Sequence, residues 1–465
     1  MDLAQRKKIE LQQKLESLQS EFESWRDKSK AFQPLEKHYS QIHRVTLQLE
    51  SLNTEIKSEL DQLGTGSGVL TQARQLELAI LESHRVWEFF RSKLSLRSIE
   101  WFNKYLIAAD ELAWECYSAA QNKLDPNYLA KEKVKEPPLV FFNGGSSPFT
   151  MPRDYAFEAE AVPGEAIKTE GMVRVLRALP IPVIGVPWFQ IQHLPEMLVV
   201  AHEVGHDVES DFKLTADLKQ ALNKAMDAAK TDATHRPAWH AWLGEIFADV
   251  YGVLSCGPAF VQALIDFLAT DPDQTTRAIR TAPKWGLYPT DYLRVLINIE
   301  ALDETAFKND RTRLRDQWTA IYAQHQMTDY EKDIPVVVKA IIDGPYRAFG
   351  GASLKDVISF SVMDQYNTNS DANRMAQGAG PAASNTRTLF AAAATIFARD
   401  PEQYGKLKLQ QLILDHVNQI RTAGVRGSQT TVGSQLGTLD DDDKAAGKTL
   451  FQMLKPTVVE DQTDN

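Results

Sequence analysis

Cysteine is nearly absent. The 465 residues contain two, Cys116 and Cys256, which excludes a disulfide framework and a cysteine-rich metal site. One disulfide between them or two separate buried thiols are the readings left, and the second fits a reducing compartment. Long apolar runs are also missing. The best, LFAAAATIFA from Leu389, falls well short of the roughly 18 residues a membrane span needs. There is no basic excess: 51 Lys and Arg stand against 62 Asp and Glu, a net charge of −11. A general nucleic-acid binder needs clustered cations, so no nucleic-acid partner is expected. The opening MDLAQRKKIE has no apolar centre or small-residue cleavage site, and so does not read as a signal peptide. The expectation is a cytoplasmic protein.

What is present is enough for a large core. The chain is 43% hydrophobic, too much for a wholly disordered polymer. At about 150 residues per domain it accommodates roughly three units. In residues 1–63, Leu11, Leu15, Leu18, Phe22 and Trp25 follow a 4-3-4-3 spacing, and Val45, Leu49, Leu52 and Ile56 repeat it. Each set lies along one side of a helix, as in a coiled coil or long hairpin. Pro34 between them breaks the helix, and GTGSG at 64–68 is a connector. Residues 69–136 read as further helix, with Leu70, Leu78, Leu81 and Trp87 leading to Trp101, Phe102, Tyr105 and Trp114. The stretch Lys135–Arg153, dense in Pro, Gly and Ser, marks a boundary. Strand-like segments follow at Val140–Phe142, Val173–Leu176 and Ile181–Val186. Pro182 places the last of these at a sheet edge. LDDDDK at Leu439–Lys444 reads as solvated, disordered tail.

The residues that carry chemistry are AHEVGH, Ala201–His206. Two histidines four apart on a helix point within about 40° of each other, one turn along, so both imidazoles reach one metal ion. Glu203 points near the same place and suits a general base. Gly205 weakens the helix and fits a close packing contact. A catalytic zinc takes three protein ligands and keeps one position for water. The third histidine of H-x-x-G-x-x-H is missing, because Glu209 and Phe212 stand at those positions. Downstream, WHAWLGEIFADVYG (Trp239–Gly252) offers Glu245 and Asp249, again four apart on one helical face. Glu245 can complete the site, and Asp249 can accept the second N–H of a ligand histidine.

HEVGH followed by EIFADVYG resembles the gluzincin zinc metallopeptidases, the thermolysin-like group, over about 50 residues. The resemblance implies zinc held by His202, His206 and Glu245, Glu203 as base and Asp249 supporting His202. The third ligand lies farther along the chain than in thermolysin, and the insert, Phe212–Ala229, resembles an extra amphipathic helix. The aspzincin pattern, which takes an Asp before Tyr-Gly as third ligand, competes through Asp249, although its Asp-to-Tyr spacing is one residue longer than here. His235 and His240 read as loop, surface or substrate-side residues rather than ligands. In gluzincins an edge strand before this helix pairs with an extended substrate, which points to Ile184–Val186 or else to a plain structural strand. KWGLYPTDYLR (Lys284–Arg294) loosely resembles a segment of CAAX-prenyl-protease-type gluzincins. It makes Tyr288 and Arg294 candidates to stabilise an oxyanion, against packing and a surface ion pair.

The expected fold is mainly α with a small mixed sheet (α+β): a helical coiled-coil or bundle region over 1–136, a zincin-like catalytic domain over 137–300, C-terminal helices over 301–425 and a disordered acidic tail over 426–465. The expected activity is zinc-dependent hydrolysis of a peptide or protein substrate. The alternative is a silent or partner-activated scaffold whose N-terminal helices bind a partner or a second copy.

Overall fold

A computed structural model of the chain describes residues 2–64, 68–129, 135–152, 181–190, 193–277, 280–281, 284–303, 305–322, 328–420 and 436–454. It is mainly helical with a three-stranded mixed sheet. The longer helices are α1 (Leu3–Lys28), α2 (Tyr39–Asp61), α3 (Val69–Ser95), α4 (Glu100–Gln121), α5 (Val200–Asp211), α6 (Thr215–Ala229), α7 (Arg236–Cys256), α8 (Pro258–Leu268), α9 (Asp291–Ala301), α10 (Lys308–Ile321), α11 (Ile334–Asp343), α12 (Val362–Ala376), α13 (Thr386–Arg399), α14 (Leu409–Ile420) and α15 (Leu436–Leu454). The strands are β1 (Leu139–Asn143), β2 (Phe149–Met151) and β3 (Val183–Pro187). No described helix is long and apolar enough to cross a membrane.

The 4-3-4-3 stripes do what their spacing predicts. Asp2 caps α1 by accepting the Gln5 amide at 2.7 Å, which meets one of the N–H groups a helix start leaves over. Leu11, Leu15, Leu18 and Phe22 then bury against Val45, Leu49, Leu52 and Ile56. The stripes are covered within one chain, by α2, α3 and each other. In α3 the buried face is Ala73, Leu76, Ile80 and Trp87. Leu70, Leu78 and Leu81 lie on the exposed side.

Two expectations are overturned here. The segment Ile181–Val186 is not a sheet edge. β3 is the central strand, parallel to β1 with Val140 opposite Ile184, and antiparallel to β2 with Thr150 opposite Ile184. Pro182 lies just before the strand and Pro187 ends it, so neither removes an interior ladder bond. Ile184 and Gly185 are paired on both sides, and Val186 is paired with Phe142 of β1, so the strand is not a free edge for a substrate. Val173–Leu176 lies outside the described residues.

The second correction concerns the disordered tail. Leu436–Leu454 form α15, laid along α2. Asp443, inside the acidic run, is buried and takes two bonds from Arg44 (Nε 2.9 Å, Nη2 3.1 Å) and one from Gln48 (2.7 Å). Leu450 and Phe451 enter the N-terminal core. Gly447 makes this approach possible, since a Cβ there falls 2.2 Å from the Gln48 carbonyl oxygen. The run is acidic, but one of its aspartates falls on the same helical face as Gly447 and Leu450 and is paired there. Asp443→Ala leaves Arg44 buried without its bidentate partner. Removing one member of a buried pair costs about 3–5 kcal/mol. Urea denaturation followed by circular dichroism should show a loss near the lower figure, because Glu136 stands 3.7 Å from Arg44 and compensates in part.

Core membership does not follow the boundary expected at residue 136. Leu106, Leu112, Cys116 and Tyr117 of α4 belong to the same core as α5 and α7. Tyr117 donates to Asp211 on α5, and Tyr251 on α7 donates to the Cys116 carbonyl. The first core consists of α1–α3 and α15. The sheet lies between the two. Leu139, Phe141, Met151 and Val183 face the N-terminal helices, and Val140, Phe142, Ile184 and Val186 face the larger core.

Candidate metal centre

Helix α5 is entered through a buried 3-10 turn, Leu194–Val199. Its apolar residues Val200, Ala201, Val204 and Val208 bury into the larger core. His202 and Glu203 are buried as well, whereas His206 is one-fifth exposed. The helix crosses α7 at Gly205, where a Cβ falls 2.8 Å from the Ala248 Cα and 3.1 Å from its carbonyl oxygen. The glycine expected to permit close packing therefore sets the distance between the two helices.

That distance brings three ligand atoms together. His202 Nε2 and His206 Nε2 are 3.2 Å apart, and Glu245 Oε2 lies 3.4 Å from each. Among the described residues this is the one group of three or more metal-ligating side chains that converge on a single point. Glu245 Oε2 is buried with no hydrogen-bond partner, a costly state for a carboxylate oxygen. The edge lengths explain it. Ligands about 2.0–2.1 Å from a tetrahedral ion sit about 3.3–3.4 Å from one another, and the triangle has that size. The donor set, two imidazoles and one carboxylate, suits zinc. The residues fit the ion.

Glu245 and Asp249 meet different nitrogens of the His202 ring. Asp249 Oδ1 lies 2.7 Å from His202 Nδ1, on the ring nitrogen away from the triangle. It fixes the tautomer that leaves Nε2 free to ligate. Burial opposes the charge on His202, but Asp249 and Glu245 outweigh it and raise its pKa to about 9. Burial likewise opposes charge on Asp249, yet Arg294 and His202 hold it down at about 2. Glu203 is lifted above the usual carboxylate range by burial, while the two imidazoles pull it back.

Tyr288 and Arg294 reach the site by different routes. The Tyr288 ring stands 5.2 Å from the Arg294 guanidinium and is half exposed. Its hydroxyl lies against Glu245, and burial together with that carboxylate pushes its pKa well up. Arg294 is buried and places Nε 2.7 Å and Nη2 2.9 Å from the two oxygens of Asp249. Its Nη2 also lies 3.5 Å from the His202 ring, so Arg294 meets that histidine both directly and through Asp249. His235 pairs with Asp333 at 2.8 Å, and His240 with Asn223 at 2.9 Å, so neither joins the centre.

Sequence reasoning missed Asn298, which donates to Asp249 Oδ2 at 3.1 Å. The signal was there: Arg294 and Asn298 are polar residues four apart in the apolar helix DYLRVLINIEA, and a buried polar side chain needs a partner. It also missed Thr150 on β2, which donates to Asp207 on α5 at 3.0 Å and ties the sheet to the histidine helix. Replacing Arg294 with Gln should leave Asp249 held by Asn298 and by His202 itself, without the bidentate guanidinium. Zinc affinity, read by chelator competition, should then fall about 10–100-fold. No family model, no curated protein and no solved structure matches this chain.

Proposed function

We propose that the chain is a zinc-dependent peptidase of gluzincin type, with zinc held by His202, His206 and Glu245. The observation that carries this reading is the triangle of ligand atoms around an orphaned carboxylate oxygen, with a second buried carboxylate, Glu203, beside it. Zinc, when bound, supplies Lewis acidity toward an amide carbonyl and makes a water more acidic near neutral pH.

The remaining work falls to the chain's own side chains. Glu203 takes a proton from the attacking water and delivers it to the leaving amine, so that the carboxylate is regenerated after each turnover. Burial suits it to both halves of that exchange, because a raised pKa brings a carboxylate nearer the operating pH. Tyr288, with its hydroxyl kept protonated, donates toward the oxygen on which negative charge develops. Asp249, clamped by Arg294 and Asn298, keeps His202 in one tautomer and orientation. The substrate is a peptide or protein segment.

What supports this reading over a silent scaffold is that His202, His206, Glu245, Glu203 and Asp249 are all present and lie close together. The two cysteines are free and buried, in keeping with a cytoplasmic setting.

Metal analysis of the purified protein tests the proposal. It should carry about one zinc per chain, as three protein ligands at one tetrahedral ion imply, and should lose and regain peptide hydrolysis with chelation and zinc. Zinc far below that ratio, with no activity restored by adding it, overturns the reading.

A further inference from the structure

A cleft with a volume of about 360 Å³ opens between α8, α10, α12 and α13, beyond the end of α7. Glu245 lies eleven residues before Cys256, the last residue of α7, or about 16 Å along a helix rising 1.5 Å per residue. The cleft is therefore separate from the metal centre. Its polar walls are Gln262, Asp310, Arg313, Gln365, Asn369 and Arg399.

The charges do not cancel. Arg399 is held by neutral amides, with Nη1 3.0 Å from Asn373 Oδ1 and Nη2 3.1 Å from Asn369 Oδ1. Among the described residues no carboxylate comes within ion-pairing distance of it. Arg313 reaches Asp310 at 3.5 Å and Gln262 at 3.4 Å. The walls thus carry two guanidiniums and one carboxylate, and only Arg313 reaches it. The amides orient Arg399 without neutralising it, which leaves a fixed cation facing the cleft. On another wall, Gln365 Oε1 is buried with no donor. A donor placed there would satisfy it.

We propose that this cleft binds a small organic acid: a carboxylate- or phosphate-bearing molecule that also carries an O–H or N–H group. The acid group pairs with Arg399 and Arg313, since guanidinium forks suit planar and tetrahedral oxyanions. The donor satisfies Gln365 Oε1. The volume falls within the range of small-molecule sites. This site stands independently of the peptidase reading.

Calorimetric titration at constant ionic strength tests it, with L-malate as the hydroxylated carboxylate and glycerol 3-phosphate as the hydroxylated phosphate. At least one should bind saturably, and which one does identifies the acid group. Losing a charge-assisted pair weakens binding by about tenfold or more, so Arg399→Gln and Arg313→Gln should each do so. Gln365→Leu should weaken malate more than succinate, which lacks the hydroxyl. Arg347→Gln, whose arginine already has its own carboxylate in Asp217, should change nothing. Circular dichroism melts establish that each variant is folded. The proposal is overturned if neither probe saturates at roughly 10 mM, ten times a millimolar Kd. It is also overturned if both arginine variants bind as the parent does.

Discussion

Glu203→Gln should keep its zinc and lose its hydrolysis. The substitution preserves the shape of the side chain and leaves His202, His206 and Glu245 untouched. The metal-to-chain ratio should therefore equal that of the parent. What disappears is the group that accepts and returns the proton. A positioned general base contributes about 10²–10⁴-fold, and in the proposed mechanism one residue serves both transfers. The fall in kcat should be about a thousandfold, with little change in KM. Equal zinc content with equal turnover removes Glu203 from the base role. Lost zinc with lost turnover makes it part of the metal support instead.

Gly205→Val should damage both the fold and the metal centre, and Gly244→Ala should damage neither. Both glycines lie in helices of the site, so helix propensity alone would make each replacement neutral or favourable, alanine by about 0.5–1 kcal/mol. Their surroundings differ. A Cβ at Gly244 meets only the Glu209 Oε2 atom at 3.4 Å, an ordinary contact with a side chain that can move. A Cβ at Gly205 meets the backbone of Ala248 at 2.8 Å, and a backbone in mid-helix cannot step aside. The branched side chain forces α5 and α7 apart, at a cost of about 3 kcal/mol, the upper end of typical overpacking. Because the histidines are on one helix and Glu245 on the other, the ligand triangle widens with them. Zinc affinity, measured below the melting temperature of the variant, should fall at least about tenfold, the difference made by 1.4 kcal/mol. A variant that melts early but binds zinc as the parent does would show that helix spacing does not set the ligand geometry.

The sequence made the candidate metal centre legible because its parts are local. His202, Glu203 and His206 share one turn of helix, and Glu245 and Asp249 share another, so the helical period alone says which side chains keep company. Which carboxylate faces which ring nitrogen is not local. It depends on how α5 crosses α7, and the sequence shows only that Gly205 permits a close approach. The position of β3 in the sheet was misread for a related reason. Alternation along a strand says which side chains share a face, not how many neighbours the strand has, and Pro182, which reads as an edge residue, stands just before the strand rather than within it. The acidic tail was misread by counting charges. A helical reading of Asp443, Gly447 and Leu450 places them on one face, and that face is the one α15 lays on α2. Arg294 was legible as a candidate and not in its role, because its partner, Asp249, lies 45 residues earlier in the chain.

The sheet has a bearing on how the molecule can be taken apart. β1 and β3 contribute alternate side chains to two different cores, so a residue and its neighbour answer to different halves of the protein. A cut at residue 136 would strip the helices from one face of the sheet and take α4 out of the core on the other. Neither half is a removable cassette. The helical region at the start of the chain is the far wall of the strand that leads into the histidine helix, and a change in its packing has a short covalent path, Val183 to His202, along which to be felt.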